Sequence, residues 1–335
     1  LTGRLGDALA GYRQSLARWR DLGDQRYEGI VLMNMGIIAY ELQSYEEAER
    51  HLKAAEEALE SFQPNPWLAG VYNELGLVYR DKGMWHESLA YFEKFVERRR
   101  LEKSDDQIGI GLNNIGELYL FQGNLDGAIA HLQEALEKME TRAYQIDSHL
   151  HLGLAYQTRG ETEQAIESYE RALALGMQIG RREILPHVYY RLGDLARHSD
   201  QQRQALIFFE KAAELIEETR EPLEEEHIKI SLLGRWQQVY EALVLLCIDL
   251  DRPREAFAWA ERARARAFAE GLPSDSGVSA VVSIEQIQEK LTAGQLMISY
   301  FTTGVLEHDI PLLRAIAKDN PIREHLLIKG DLIVF

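Results

Sequence analysis

NNIGELYLFQGNLDGAIAHLQEA, Asn113 to Ala135, sets the pattern for most of the chain. Within it Gly116, Tyr119, Gly123, Ala128, Leu132 and Ala135 follow one another at steps of 3, 4, 5, 4 and 3. Steps of three and four keep residues on one helical face, and the longer step after Gly123 breaks that register. The pattern predicts two short amphipathic helices, the first ending where Gly123 takes a left-handed C-cap. Gly116 and Ala128 lack bulk where the helices meet, so the backbones approach closely while Tyr119 and Leu132 fill the space beside them. The predicted unit is a helical hairpin.

The same letters recur on both sides. Met35, Gly36, Ala48, Leu52 and Ala55 form an earlier copy, followed by Leu75, Gly76, Tyr79, Gly83, Ser88 and Phe92. Later copies are Leu152, Gly153, Tyr156, Gly160, Ala165, Tyr169 and Ala172, then Leu192, Gly193, Ala196, Ala205, Phe209 and Ala212. The contact glycines stand at 36, 76, 116, 153 and 193, so the steps are 40, 40, 37 and 40. The chain is therefore an internal repeat.

The offsets L-G-x-x-Y, A-x-x-x-F and a further A resemble the tetratricopeptide repeat, and the resemblance implies an all-α superhelical solenoid of helix-turn-helix units. The period here is longer than that family's usual 34 residues, as in its long-repeat subgroup. The resemblance also implies that the first helices of the units line a concave surface.

A chain of 335 residues, 46% of them hydrophobic, has ample material for a core, and a repeat array spreads that core along its length. The formal net charge of −17, from 54 acidic and 37 basic residues, argues against direct binding to nucleic acid or to anionic lipid. The single cysteine, Cys247, excludes an internal disulfide and fits a cytoplasmic, reducing compartment. No apolar run reaches membrane-spanning length.

In chain order, residues 1–22 read as a second helix without its partner, and hairpins follow over about 26–60, 66–101, 106–140, 144–178 and 184–219. Ser104, Asp105 and Asp106 place caps and negative charge before a helix start. Gln43 and Asp200 stand where other copies have a turn glycine. Repeats are expected over 1–222, a modified terminal hairpin over 223–270 with Cys247 buried in the tyrosine slot, and a linker over 271–282. Over 283–335 the expected elements are a helix capped by Ser283 and Gln286, a strand at Leu296 to Phe301, helical pieces near 310–317 and 323–327, and a final strand, Leu332 to Phe335, with nothing after it to pair. Starting at Leu1 in mid-unit and stopping on that strand, the sequence reads as part of a longer protein.

AFAWAERARARAFAEGL at 256–272 and SIEQIQEKLTAGQLMISYF at 283–301 resemble the junction between such repeats and the CHAT domain, a caspase-like module. The resemblance implies that 283–335 opens a truncated α/β cysteine-peptidase domain whose remainder is a partner of this region. Its catalytic His and Cys would lie on later strands: His308 precedes the position expected for the histidine, and Cys247 lies among the repeats.

Little local chemistry competes with a binding role. Among ten histidines, His149 and His151 are two apart and project to opposite sides of a helix, and none forms a zinc pattern with a carboxylate. No glycine loop of a phosphate-binding type is present. The region is expected to be non-catalytic, with no metal and no cofactor.

Recognition of a protein or an extended peptide remains. On the template, the concave-face positions include Asn34, Asn73, Asn113, Asn114, His151, Tyr190, Arg191, Arg197 and His198, with Tyr40, Glu74, Arg80, Glu117 and Gln157 beside them. Asparagine both gives and takes hydrogen bonds, which suits a peptide main chain. Tyr190, Arg191, Asp194, Arg197 and His198 share one helical face, whose arginine forks suit an acidic group unless Asp194 neutralises them internally. The alternative to a peptidase scaffold is the sensor region of a bacterial transcription regulator or ATPase switch.

Overall fold

A computed structural model describes residues 2–62, 65–220, 226–269, 300–302, 316, 320 and 332–334. The helices are α1 Thr2–Asp21, α2 Gln25–Glu41, α3 Tyr45–Glu60, α4 Trp67–Asp81, α5 Trp85–Glu102, α6 Asp105–Gln122, α7 Leu125–Lys138 and α8 Arg142–Arg159. They continue as α9 Thr162–Ile179, α10 Leu185–His198 after a 3-10 turn, α11 Gln202–Arg220, α12 Glu226–Asp249 and α13 Pro253–Ala269. Two compact units divide the chain: Leu1–Arg159 with Glu307–Ile322, and Gly160–Leu306 with Arg323–Phe335.

In the first unit α2 packs on α3, α4 on α5 and α6 on α7; in the second α10 packs on α11 and α12 on α13. In the first four of these seams, α2 on α3, α4 on α5, α6 on α7 and α10 on α11, a glycine faces a large side chain. A β-carbon on Gly36 or Gly116 would lie 2.6 Å from Cγ of Leu52 or Leu132, and one on Gly193 would lie 2.6 Å from the Phe209 ring. One on Gly76 would fall on the Phe92 ring. Leu52, Phe92, Leu132 and Phe209 are all fully buried. Ser88 replaces the small alanine of the pattern because its hydroxyl donates to the Gly76 carbonyl at 2.8 Å, so the polar atom is satisfied inside the seam.

The turns repeat as faithfully as the seams. Asn124 N donates to Tyr119 O at 2.9 Å across Gly123, and Met84 N donates to Tyr79 O at 2.8 Å across Gly83. Ser44 N to Ala39 O and Gln201 N to Ala196 O close the same loop at 2.9 Å. There Gln43 and Asp200 themselves adopt the left-handed conformation, both at φ 57°. The six-residue bond pattern of a helix C-cap thus forms without glycine, at a modest backbone cost.

α12 and α13 repeat this turn, with Arg252 N on Cys247 O at 2.8 Å. Cys247 therefore sits where Tyr79 and Tyr119 sit in the earlier hairpins. It is fully buried, and burial pushes its thiol up to about 11. The thiol is expected to resist alkylating reagents at neutral pH in the folded chain and to react fully once unfolded, as followed by mass. Native labelling at the rate of an exposed cysteine would remove it from the core.

Ser104 is the N-cap of α6 but makes no side-chain cap bond. Asp106 instead crosses to the loop before α8, where its carboxylate accepts from the backbone of Glu140 at 2.8 Å and of Thr141 at 3.0 Å. The Thr141 hydroxyl donates to the same carboxylate at 2.5 Å, and that bond, followed by the backbone ones, holds the carboxyl below the usual range.

Apart from one ladder, the described elements are helical. Leu332–Val334, expected to have nothing after it to pair, pairs antiparallel with a preceding strand, Tyr300–Thr302, with Phe301 opposite Ile333. The linker at 271–282, the Ser283 cap and the helical pieces near 310–317 and 323–327 lie outside the described residues, Ile316 excepted. The described residues therefore do not carry the expected caspase-like α/β region beyond this ladder. Among them no helix is long and apolar enough to cross a membrane, and no three His, Cys, Asp or Glu side chains gather as a metal site.

Candidate functional site

The first helices of the first unit bring most of the predicted polar residues into one hydrogen-bonded network. α6 packs against α5, α7 and α8, so its apolar residues are consumed on several sides and a narrow polar stripe remains. On that stripe Asn114 Nδ2 donates to Asn73 Oδ1 of α4 at 2.9 Å, and Asn73 Nδ2 donates to Glu74 at 3.2 Å. Asn113 turns inward and is buried; its Oδ1 accepts from the Ser148 hydroxyl at 3.0 Å and lies 3.1 Å from His151 Nδ1. Asn34, on α2, is half-buried.

A charged cluster adjoins the amides. Arg80 donates to Glu117 at 2.6 Å, to Asp81 at 2.8 Å and to the Tyr40 hydroxyl at 3.3 Å. Tyr40 donates in turn to Asp81 at 2.7 Å, and His151 Nε2 stands 3.6 Å from Glu117. Burial opposes ionisation of Glu117, yet the charges of Arg80 and His151 outweigh it and hold the carboxyl below its ordinary range. Glu74 differs: burial raises it, the Asn73 bond opposes this, and nearby Glu41 adds to the rise. The guanidinium of Arg80 is already engaged by two carboxylates, so this face offers amides and carboxylates to a ligand.

Asp81 and Ser148 were not visible as site residues in the sequence. The available signals were weak: Asp81 follows Arg80 at a helix end, and Ser148 stands one turn before His151.

Gln157, on α8 of the first unit, is buried, and the remaining predicted residues belong to α10 in the second unit. Tyr190 is 5% exposed and packs on Phe209 at a ring distance of 5.6 Å, inside the core. Arg191 lies 5.6 Å over the Tyr190 ring. Arg197 donates to Asp194 at 2.9 Å, and His198 Nδ1 lies 2.8 Å from the Asp194 carbonyl and 3.3 Å from its carboxylate. The carboxylate bond raises His198 above its ordinary value, against partial burial. Asp194 is almost completely buried, so it already occupies the two cations that an acidic ligand would need.

Transcriptional activator NprA of Geobacillus stearothermophilus is 27% identical over 146 residues, covering 42% of this chain and 36% of that protein. The chain thus spans about a third of that curated relative's length. The apo form of RapI superposes with a TM-score of 0.58 at 15% identity, covering 79% of this chain and 93% of that one. The quorum sensor NprR from B. thuringiensis gives 0.55 at 14% identity, covering 77% and 82% respectively. Aspartyl phosphate phosphatase F from Bacillus subtilis gives 0.55 at 14%, covering 78% and 76%. At these identities the solved structures speak for the fold. The tetratricopeptide repeat family model matches residues 67–141 and 144–218. Together with the recurring glycine seams and six-residue turns, that match makes these two stretches tetratricopeptide repeats.

Proposed function

We propose that this chain is a cytoplasmic interaction scaffold whose first unit binds an extended peptide segment of a protein partner on the face of α2, α4, α6 and α8. The single observation that carries the reading is the amide pair. Asn114 and Asn73 join two successive first helices by a bond of the type that a peptide main chain offers. A ligand can replace this bond with its own N–H and C=O at little net cost, because each amide exchanges one partner for another. Asn34 and His151 flank the pair and would extend the contact, whereas Asn113 is buried beneath it. An acidic group at Arg191, Arg197 and His198 is the weaker reading, since it must compete with Asp194.

The likeness to a transcriptional activator, and to a structure described as a quorum sensor, favours the sensory region of a larger regulator. The peptidase alternative rests on the resemblance of 256–272 and 283–301 to a CHAT junction.

The test is selection of binders from a displayed library of random peptides on the full chain, followed by anisotropy titration. Asn73→Ala with Asn114→Ala is expected to weaken the selected peptides about tenfold, from two hydrogen bonds of roughly 1 kcal/mol or less each. Arg191→Ala with Arg197→Ala is expected to leave them unchanged. Full affinity in the asparagine double variant, or a salt-dependent loss confined to the arginine one, would overturn the assignment.

A further inference from the structure

Glu74 stands apart from the other polar residues of the amide face. Asn34, Glu74, Asn114 and His151 each stand two residues before a seam glycine, Gly36, Gly76, Gly116 and Gly153 in turn. They therefore share one repeat position, contributed by α2, α4, α6 and α8, and all four are half-buried. Of the four, Glu74 alone is a carboxylate. It also joins the amide pair directly: Asn73 Nδ2 donates to it at 3.2 Å while Asn73 Oδ1 accepts from Asn114 at 2.9 Å.

The charge on Glu74 is uncompensated, whereas those on Glu117 and Asp81 are not. Arg80 reaches Glu117 at 2.6 Å and Asp81 at 2.8 Å, which occupies the cation of that cluster. Among the described residues Glu74 has no ion-pair partner, and neither has Glu41 at the exposed end of α2. Burial opposes ionisation of Glu74, and the charge of Glu41 adds to that opposition. An arriving cation would relieve both effects, and its bond to a carboxylate is roughly twice as strong as one between neutral groups. The asparagines, by contrast, hold a main chain whatever its side chains are, so they carry affinity without sequence preference.

We infer that Glu74 is the specificity-determining residue of the amide face, and that the peptide it selects carries a lysine or arginine side chain there. This rests on, and deepens, the peptide reading of that face. Packed helices lie about 8–10 Å apart and an extended chain rises about 3.3 Å per residue, so successive first helices meet roughly every third peptide residue. The cation therefore falls on one residue of the peptide, with main-chain contacts to Asn34 and Asn114 about three residues to either side. An acidic side chain is rejected at this position, because it would stand against Glu74 with no cation between them.

Peptides selected on the full chain from a displayed random library test this. A lysine or arginine recurring at one position is expected, and selected sequences without it would overturn the inference. One such peptide, and its copy with norleucine in place of the basic residue, are then titrated by anisotropy against the wild type, Glu74→Gln and Glu57→Gln. Glutamine keeps the shape and the Asn73 bond, while Glu57 is an exposed carboxylate on α3 whose loss changes the net charge equally. Glu74→Gln is expected to weaken the basic peptide about tenfold, to flatten its salt dependence and to leave the norleucine peptide unchanged. Glu57→Gln should match the wild type. Equal weakening in both variants would mean attraction by overall charge and would overturn the assignment, as would full affinity in Glu74→Gln. Asn73→Ala with Asn114→Ala separates this inference from the reading beneath it. If that double variant weakens both peptides while Glu74→Gln weakens neither, the main-chain contact stands and the selectivity is refuted; if it weakens neither, the amide face itself is refuted.

Discussion

Phe92→Ala is expected to destabilise the repeats by about 3–5 kcal/mol, the range for deleting a buried aromatic ring and leaving a cavity. Phe92 is completely buried and lies on the bare Cα of Gly76, so no neighbouring side chain is poised to swing into the space. Ser88, in the same seam, is tied to the Gly76 carbonyl at 2.8 Å and cannot follow. Phe92→Leu should cost much less, about 1 kcal/mol, because Leu52 and Leu132 fill the same place opposite Gly36 and Gly116. Gly76→Ala supplies a sharper check. Alone it drives a methyl into the ring and destabilises; in the Phe92→Ala background it fills part of the cavity and stabilises. Urea denaturation of the four chains measures the coupling, and Gly76→Ala effects of the same sign in both backgrounds would refute the seam.

Arg80→Ala is expected to cost about 2–4 kcal/mol, somewhat below the range for breaking a fully buried ion pair, because its side chain retains 15% exposure. The arginine holds Glu117, Asp81 and Tyr40 together, and removing it leaves two largely buried carboxylates with reduced compensation. The pH dependence follows from the lowered pKa of Glu117. A carboxyl depressed in the folded state adds stability that is present above its unfolded value, ordinarily 4.5, and is lost as pH falls through the lower native value. In Arg80→Ala that support disappears. The gap between wild type and variant should therefore be widest at neutral pH and should narrow as pH falls below about 4.5. Thermal melts at neutral and acid pH measure it; a gap that widens on acidification would show that Arg80 does not hold Glu117 ionised.

The hairpins were legible in the sequence because close helix contact demands a residue without bulk, and that demand writes a glycine into each copy. The turns were legible directly where glycine fills them, and at Gln43 and Asp200 only by register with the other copies. At Gln43 and Asp200 the left-handed backbone is held by the same six-residue bond, which the letters do not display. On the site, helical periodicity identified the polar stripe but not how deep each residue sits on it. Asn113 and Tyr190 fall on the predicted face and yet are buried, because neighbouring helices cover its margins. Pairing was hidden for a further reason. Asp194 was visible as a competitor for Arg197 and His198, whereas Asp81 carries no spacing signal toward Tyr40, which is 41 positions away.

The glycine seams also bear on how this sequence can change its length over generations. Gly36 precedes Leu52 by 16 residues, and the same interval separates Gly76 from Phe92, Gly116 from Leu132, Gly153 from Tyr169 and Gly193 from Phe209. An insertion or deletion of one residue inside that interval would rotate the second helix by about 100° relative to its glycine and bring the wrong side chain to the seam. The shortened step of 37 residues spares the interval and falls between Leu132 and Gly153. There α7 is 14 residues long against 16 in α3 and 18 in α5. In this chain the one departure from the 40-residue step thus falls after the seam residue, at the end of α7 and the joint that follows it.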